Sequence, residues 1–203
     1  MSGGRGLACR DDPTDLLEVA IGYAVGSLSC VTRGSLSDPT PCAAWDLGTL
    51  LEHVSDSLAA LHDAIATGWV SLDVFAHAPG STADDLVTTL RTRARRLLAA
   101  SAAGGKRPAV AIAGRRLTGG QVTAVGAIEI TVHGWDIAEA CRCPRPIPPA
   151  LATGILAIIP LVVTHVTRDV QFAAAIPAAP QACPSDRLVA LLGRDPERSV
   201  TCG

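Results

Sequence analysis

The apolar positions of this chain fall in a helical rhythm. From Asp15 to about Thr32, the residues Leu16, Val19, Ala20, Tyr23, Ala24 and Leu28 share one face and predict a first long helix. Pro39 and Pro41 in Asp38-Pro39-Thr40-Pro41-Cys42 remove backbone donors and bias their predecessors toward extended geometry, so a loop is expected there. Asp46 is a suitable N-cap for a second helix. Its buried stripe is Leu47, Leu50, Leu51, Val54, Leu58, Leu61 and Ile65, with His53 at the edge of the stripe. After Pro79-Gly80-Ser81, Ser81 or Thr82 can cap a third helix that runs through Leu86, Leu90 and Leu97 to about Ala102. The cluster Arg91, Arg93, Arg95 and Arg96 reads as its solvated face.

Between Gly104 and Gly120 the pattern changes, and Val110-Ala111-Ile112 followed by Gly114-Arg115-Arg116 predicts a short hairpin or an irregular crossover. A fourth helix is expected from about Gly120 to Ala140, with Val122, Val125, Glu129, Val132, His133 and Asp136 on adjoining faces. Pro144, Pro146, Pro148 and Pro149 make a rigid linker, and Pro149 starts a further helix that contains Pro160. The Ala/Pro-rich stretch from Ala173 to Pro184 reads as irregular, and a last short helix, Asp186 to Leu192, stops at Gly193. The expectation is an all-α fold without internal repeats, with residues 1–12 as a loose leader and 13–203 as a single helical domain.

Composition narrows the function classes. Aromatic residues make up only 3% of a chain that is 48% hydrophobic, so the core must be built from Ala, Leu, Val and Ile, which suits packed helices. A net charge of -2 offers no basic face for nucleic acid. Arg5 and Arg10 are not followed by a continuous apolar run, so no secretory signal is read and a cytoplasmic protein is expected. The run Leu151 to Val163 is shorter than the roughly 20 residues of a membrane span and is broken by Gly154 and Pro160; it reads as a kinked core helix. Seven cysteines at irregular spacing read as reduced thiols, with Cys141 and Cys143 the one close pair, a weak pointer to an accessory metal or redox role.

The candidate chemistry lies in His53, Glu129 and His133. Each sits among aliphatic neighbours, and a carboxylate in such company is costly unless something positive meets it. Glu129 and His133 are one turn apart on one helical face, so they can grip a single ion while His53 arrives from another helix. Two imidazoles and a carboxylate leave a coordination position open for water or substrate, as a working site requires. The rival reading is an ordinary Glu to His ion pair. Asp136 can orient a ligating histidine as its acceptor, or form an exposed salt bridge. His62, His77 and His165 read as structural or exposed, no phosphate-loop spacing occurs at Gly114 or Gly119-Gly120, and Ser27, Ser35 and Ser57 lack a nucleophile-elbow context.

The segment Thr40-Pro41-Cys42-Ala43-Ala44-Trp45-Asp46, followed by Leu50-Leu51-Glu52-His53-Val54, resembles the first signature of the actinobacterial branch of the DinB-like superfamily that includes mycothiol-dependent maleylpyruvate isomerase. Glu129-Ile130-Thr131-Val132-His133-Gly134-Trp135-Asp136-Ile137-Ala138 is similar to its second metal motif, and Asp186 to Pro196 is like the tail of many members. The resemblance implies a four-helix bundle with a long crossover connection and short additional C-terminal helices. It implies zinc or another divalent ion held by His53, Glu129 and His133, with Trp45, Asp56, Ser57, Trp135 and Asp136 as supporting or pocket residues. Asp56 and Ser57 depart from the family pattern, in which glycine often follows the turn of the first metal histidine. The implied activity is that of a thiol-dependent isomerase or S-transferase, with mycothiol as co-substrate and a small electrophilic metabolite as substrate, and no protein cysteine needed. Alternatives are a thiol-independent metal-dependent hydrolase, dehydratase or cyclase, and a non-catalytic metal-containing binding protein. No membrane or nucleic-acid partner is implied, and the oligomeric state is left open, a homodimer being one option.

Overall fold

The computed structural model describes residues 12–42, 45–70, 80–103, 109–112, 115–162 and 173–197. The leader to residue 11, His77 and His165 lie outside the described residues. Among the described residues six α-helices dominate: α1 (Pro13–Ser27), α2 (Leu47–Thr67), α3 (Ala83–Ala102), α4 (Gly119–Ala140), α5 (Pro149–Val162) and α6 (Pro184–Leu191). The all-α expectation therefore holds, extra C-terminal helices included.

Local chemistry sets the helix ends. Asp46 caps α2 by accepting a bond from the Thr49 N–H at 2.8 Å, and Thr82 caps α3 in a reciprocal box with Asp85. A second such box, Thr118 with Gln121, starts α4. α1 ends at Ser27, earlier than the apolar period suggests, and passes into a 3-10 turn at Leu28–Cys30. There the Ser27 and Ser29 hydroxyls bond back to the carbonyls of Tyr23 and Gly26 and compete with the continuing helix.

The first four helices close a ring of contacts: α1 packs on α4, α4 on α2, α2 on α3, and α3 back on α1. One contiguous apolar cluster fills the interior, from Leu17 and Ile21 of α1 through Leu50 and Leu51 of α2, Leu90 and Leu97 of α3 and Ile130 and Ile137 of α4. It continues into α5 and α6 through Ile155, Leu188 and Val189. α1 and α4 approach closely at Gly134, where an added Cβ would stand 3.0 Å from the Ala24 Cα and 3.1 Å from the Tyr23 ring.

A three-stranded sheet, β1 (Trp69–Val70), β2 (Val110–Ile112) and β3 (Arg115–Leu117), caps one side in the order β1-β2-β3. β2 and β3 pair antiparallel, the first of the two arrangements expected; β1 follows α2 directly and pairs parallel with β2, a long-range contact that no local pattern announces. On α3, Arg91, Arg95 and Arg96 are exposed, and Arg93 turns to Asp56 of α2 at 3.2 Å.

One expectation about cysteine is corrected. Cys30 and Cys143 are joined as a disulfide, with their Cα atoms 6.1 Å apart across 113 residues of sequence. The pairing follows from α1 packing along α4, which brings the turn after one helix to the turn after the other. Cys141 and Cys143 therefore do not act as a pair, and Cys42, Cys141 and Cys183 are the free thiols among the described residues. No described helix is long and apolar enough to cross a membrane.

Candidate metal centre

Helices α2 and α4 bring His53, Glu129 and His133 to one point. His53 lies at the edge of the α2 stripe, so its ring projects past Leu50 and Val54 toward α4 rather than into the centre of the core. The His53 Nε2 stands 2.9 Å from Glu129 Oε1, and the His133 Nε2 stands 3.5 Å from the same oxygen. One ligand atom from each of the three lies within 4.8 Å of the others, close enough to hold a single ion. The cluster is graded in exposure: His133 is 5% exposed, whereas the side chains of Glu129 and His53 keep 25% and 33% of their surface. The donor set is thus open to solvent on the His53 side.

Trp45 forms part of that side. Its ring centroid is 4.6 Å from His53 and 6.0 Å from His133, and the two imidazoles meet edge to face at 5.0 Å. The loop before α2 holds Trp45 there. The Thr40 hydroxyl bonds the carbonyls of Cys42 and Trp45, Trp45 N–H donates to the Cys42 carbonyl, and Leu47 N–H donates to Asp38.

Behind His133 lies a second set of groups. Its Nδ1 is 2.9 Å from Asp136 Oδ2, and Asp136 is fully buried. Arg194, which follows α6, meets both oxygens of that carboxylate, Nη2 to Oδ2 at 2.9 Å and Nε to Oδ1 at 3.3 Å. The same Nη2 lies 3.0 Å from Cys42 Sγ. Cys42, His133 and Asp136 are themselves close enough to form a three-donor cluster, but the guanidinium already supplies the positive charge on that side. On the Nε2 side of His133 stands Glu129, whose Oε1 also meets His53.

The other sequence candidates fall around this centre. Asp56 lies one turn beyond His53 and pairs with Arg93, and Ser57 is half-buried in the same turn. Trp135 is buried in the apolar cluster, rotated away from His133 by about 200° along the helix. His62 stays with its neighbour Asp63 at 3.2 Å, away from the donor set. Sequence reasoning did not assign Arg194 or Cys42 to the site. Arg194 follows a helix-stop glycine and gives no local sign that it is buried, and Cys42 reads as part of a proline loop.

Electrostatics bind the groups into one system. Burial opposes ionising Glu129, but the imidazoles of His133 and His53 outweigh it and hold the carboxyl well below the usual range. Burial likewise opposes a charged His133, and Asp136, with Cys42 and Glu129, overrides it, so the ring keeps its proton well above the usual histidine range. Burial also works against the Asp136 carboxylate, which His133 and Arg194 hold ionised. The donor set fits a divalent cation on its own chemistry: a half-buried carboxylate shared by two imidazoles, one already oriented through its far nitrogen.

Comparison with known sequences places the chain. Residues 25–138 match the family described as the mycothiol maleylpyruvate isomerase N-terminal domain, a stretch that contains all three donors. The chain belongs to that family. A second likeness is to an uncharacterised protein of Mycobacterium tuberculosis, Rv0738 in one strain and MT0763 in another, 28% identical over 189 residues, covering 82% of this chain and 89% of that protein. No solved structure matches. Within this mycothiol maleylpyruvate isomerase-related chain, the family match ends at residue 138. Arg194 and the helices that bring it back to Asp136 lie beyond that limit.

Proposed function

We propose that the protein is a divalent-metal enzyme of the mycothiol-dependent isomerase and S-transferase type, with His53, Glu129 and His133 as the ligands and a small electrophilic metabolite as substrate. The observation that carries the proposal is the convergence of two imidazoles and one carboxylate within 4.8 Å inside the family-matched segment. Zinc or a similar ion held there supplies positive charge that keeps a thiol as its thiolate near neutral pH.

The protein's own groups do the rest. Glu129 offsets part of the cation's charge, and the buried His133, aimed through Asp136, fixes one ligand direction. His53 and Glu129 line the solvent-facing side, where a low-molecular-weight thiol such as mycothiol and its electrophile would meet. Trp45 covers His53 and narrows that approach. The sulfur forms a bond to the electrophilic carbon while the π pair moves toward the substrate's conjugated carbonyl. Expelling the thiolate restores the double bond in its new geometry and completes an isomerisation. Protonation of the adduct instead completes a transfer. No side-chain nucleophile is required, so Cys141→Ser should leave turnover unchanged.

The test begins with protein purified without a metal-binding tag. Elemental mass spectrometry should find close to one metal per chain in the wild type and a near-complete loss in His53→Ala, Glu129→Ala and His133→Ala. Metal-free, well-folded wild-type protein would leave the cluster as an ion pair and overturn the proposal. Metal-loaded protein that turns over electrophiles equally with and without thiol would instead support a thiol-independent hydrolase or cyclase.

A further inference from the structure

We propose that Arg194 is a positioning residue for the metal centre: the arm after α6 fixes Asp136, and through it the ring of His133. The proposal rests on the reading of His133 as a ligand. It adds that the site is finished from outside the family-matched segment, by a residue that touches none of the three donors.

The argument starts from Asp136. A carboxylate with no solvent exposure has no water to hold its orientation, and its contacts with His133 Nδ1 at 2.9 Å and with the Cys42 thiol at 3.7 Å both fall on Oδ2, which leaves the plane of the group free to turn. Arg194 removes that freedom. Its planar fork engages both oxygens, Nη2 at 2.9 Å from Oδ2 and Nε at 3.3 Å from Oδ1, so the plane of the carboxylate is set. Oδ2 is then the oxygen that His133 Nδ1 meets, and the ring's opposite nitrogen is aimed at Glu129.

Arg194 is held as tightly as it holds. Its Nη1 donates to the Leu192 carbonyl at 2.8 Å and its backbone N–H to the Val189 carbonyl at 2.9 Å, both at the end of α6. Leu188, Val189 and Leu192 are fully buried and lock that helix into the core. Gly193 makes the turn that sends Arg194 inward: its φ is +80°, and a Cβ there would lie 2.7 Å from Ala173 Cβ. Cys42 Sγ accepts from the same Nη2 at 3.0 Å and ties the loop before α2 to the guanidinium. A lysine could reach one carboxylate oxygen but could not set the plane.

The experiment compares wild type, Arg194→Met, Arg194→Lys and, as a charge control on the exposed face of α3, Arg95→Met. Zinc affinity is measured by chelator competition, the geometry of the site by the visible spectrum of the cobalt-substituted protein, and the fold by circular dichroism. Removing the outer groups that orient a ligating histidine lowers metal binding by about 10–100-fold. Arg194→Met should show that loss and a changed cobalt spectrum with the helical signal kept; Arg194→Lys should fall between, and Arg95→Met should match wild type. If Arg194→Met does not fold, Arg194→Lys carries the same test. In metal-free protein, the His133 Nδ1–H resonance should persist in wild type and be lost to solvent exchange in the variant. A folded Arg194→Met that binds zinc within twofold of wild type, with the same cobalt spectrum, overturns the role of Arg194 alone. Wild-type protein that binds no zinc overturns the metal reading instead, and the Nδ1–H signal then decides whether Arg194 still positions His133.

Discussion

Helices α3 and α4 are of similar length and begin with the same kind of Thr-led capping box, yet they handle charge in opposite ways. α3 buries a single stripe, Ala83, Leu86, Leu90, Ala94 and Leu97, and turns Arg91, Arg95 and Arg96 to solvent. α4 has sixteen of its twenty-two residues buried, so an ionisable side chain on it has almost nowhere to go. Glu129, His133 and Asp136 remain there because each is matched, by His53, by one another and by Arg194. A charge on α3 is surface chemistry with little energetic consequence. A charge on α4 must be answered by the fold, and the answering groups assemble the site.

Substitutions should separate the two helices by size of effect. Asp136→Ala leaves Arg194 and His133 buried without their shared partner and should cost about 3–5 kcal/mol in urea unfolding of the metal-free protein. Acid should act on α4 in the same direction. The Glu129 and Asp136 carboxyls are lowered in the folded state, so their contribution is complete above roughly pH 4 and is lost as pH falls through the depressed values. His133 is raised, so its contribution is complete below about pH 6.5 and is lost as pH rises through the folded value. Metal-free protein should therefore be most stable between those limits, and thermal melts across pH would show it; a flat profile would mean that these groups are not coupled to folding.

Gly134→Ala forces a methyl against the Ala24 backbone and should cost about 1–3 kcal/mol. On α3, Thr82→Ala removes the cap and should cost about 1 kcal/mol. The smallest effect is expected for Arg93→Ala, where the pair with Asp56 is partly exposed and should be worth under about 1 kcal/mol, less in high salt. A cost for Arg93→Ala as large as that for Asp136→Ala would erase the distinction between the helices.

The same contrast explains what the sequence could reveal. α3 was legible from its period and its threonine cap, because a half-buried helix writes its orientation into alternating faces. On α4 the apolar surroundings of Glu129 and His133 pointed to the donor pair, and His53 was recognisable at the edge of the α2 stripe. What stayed hidden depends on tertiary approach: Arg194 meets Asp136 from 58 residues away, Cys30 meets Cys143 from 113, and β1 pairs with a strand beyond α3. No local pattern marks such partners, since each residue type is ordinary in its own neighbourhood. The end of α1 was overestimated for a related reason, because serine bonds back onto the helix without altering the apolar period.

The contact at Gly134 sets a tolerance for chemistry. It is the residue next to His133, and a Cβ added there would meet the Ala24 Cα at 3.0 Å and the Tyr23 ring at 3.1 Å, so α4 lies close on α1 at this point. A helix seated this close has little room to shift, so the height of His133 above α1 is gauged by the Ala24 backbone and the Tyr23 ring. A helix that contributes no donor is thereby the datum from which one of them is measured.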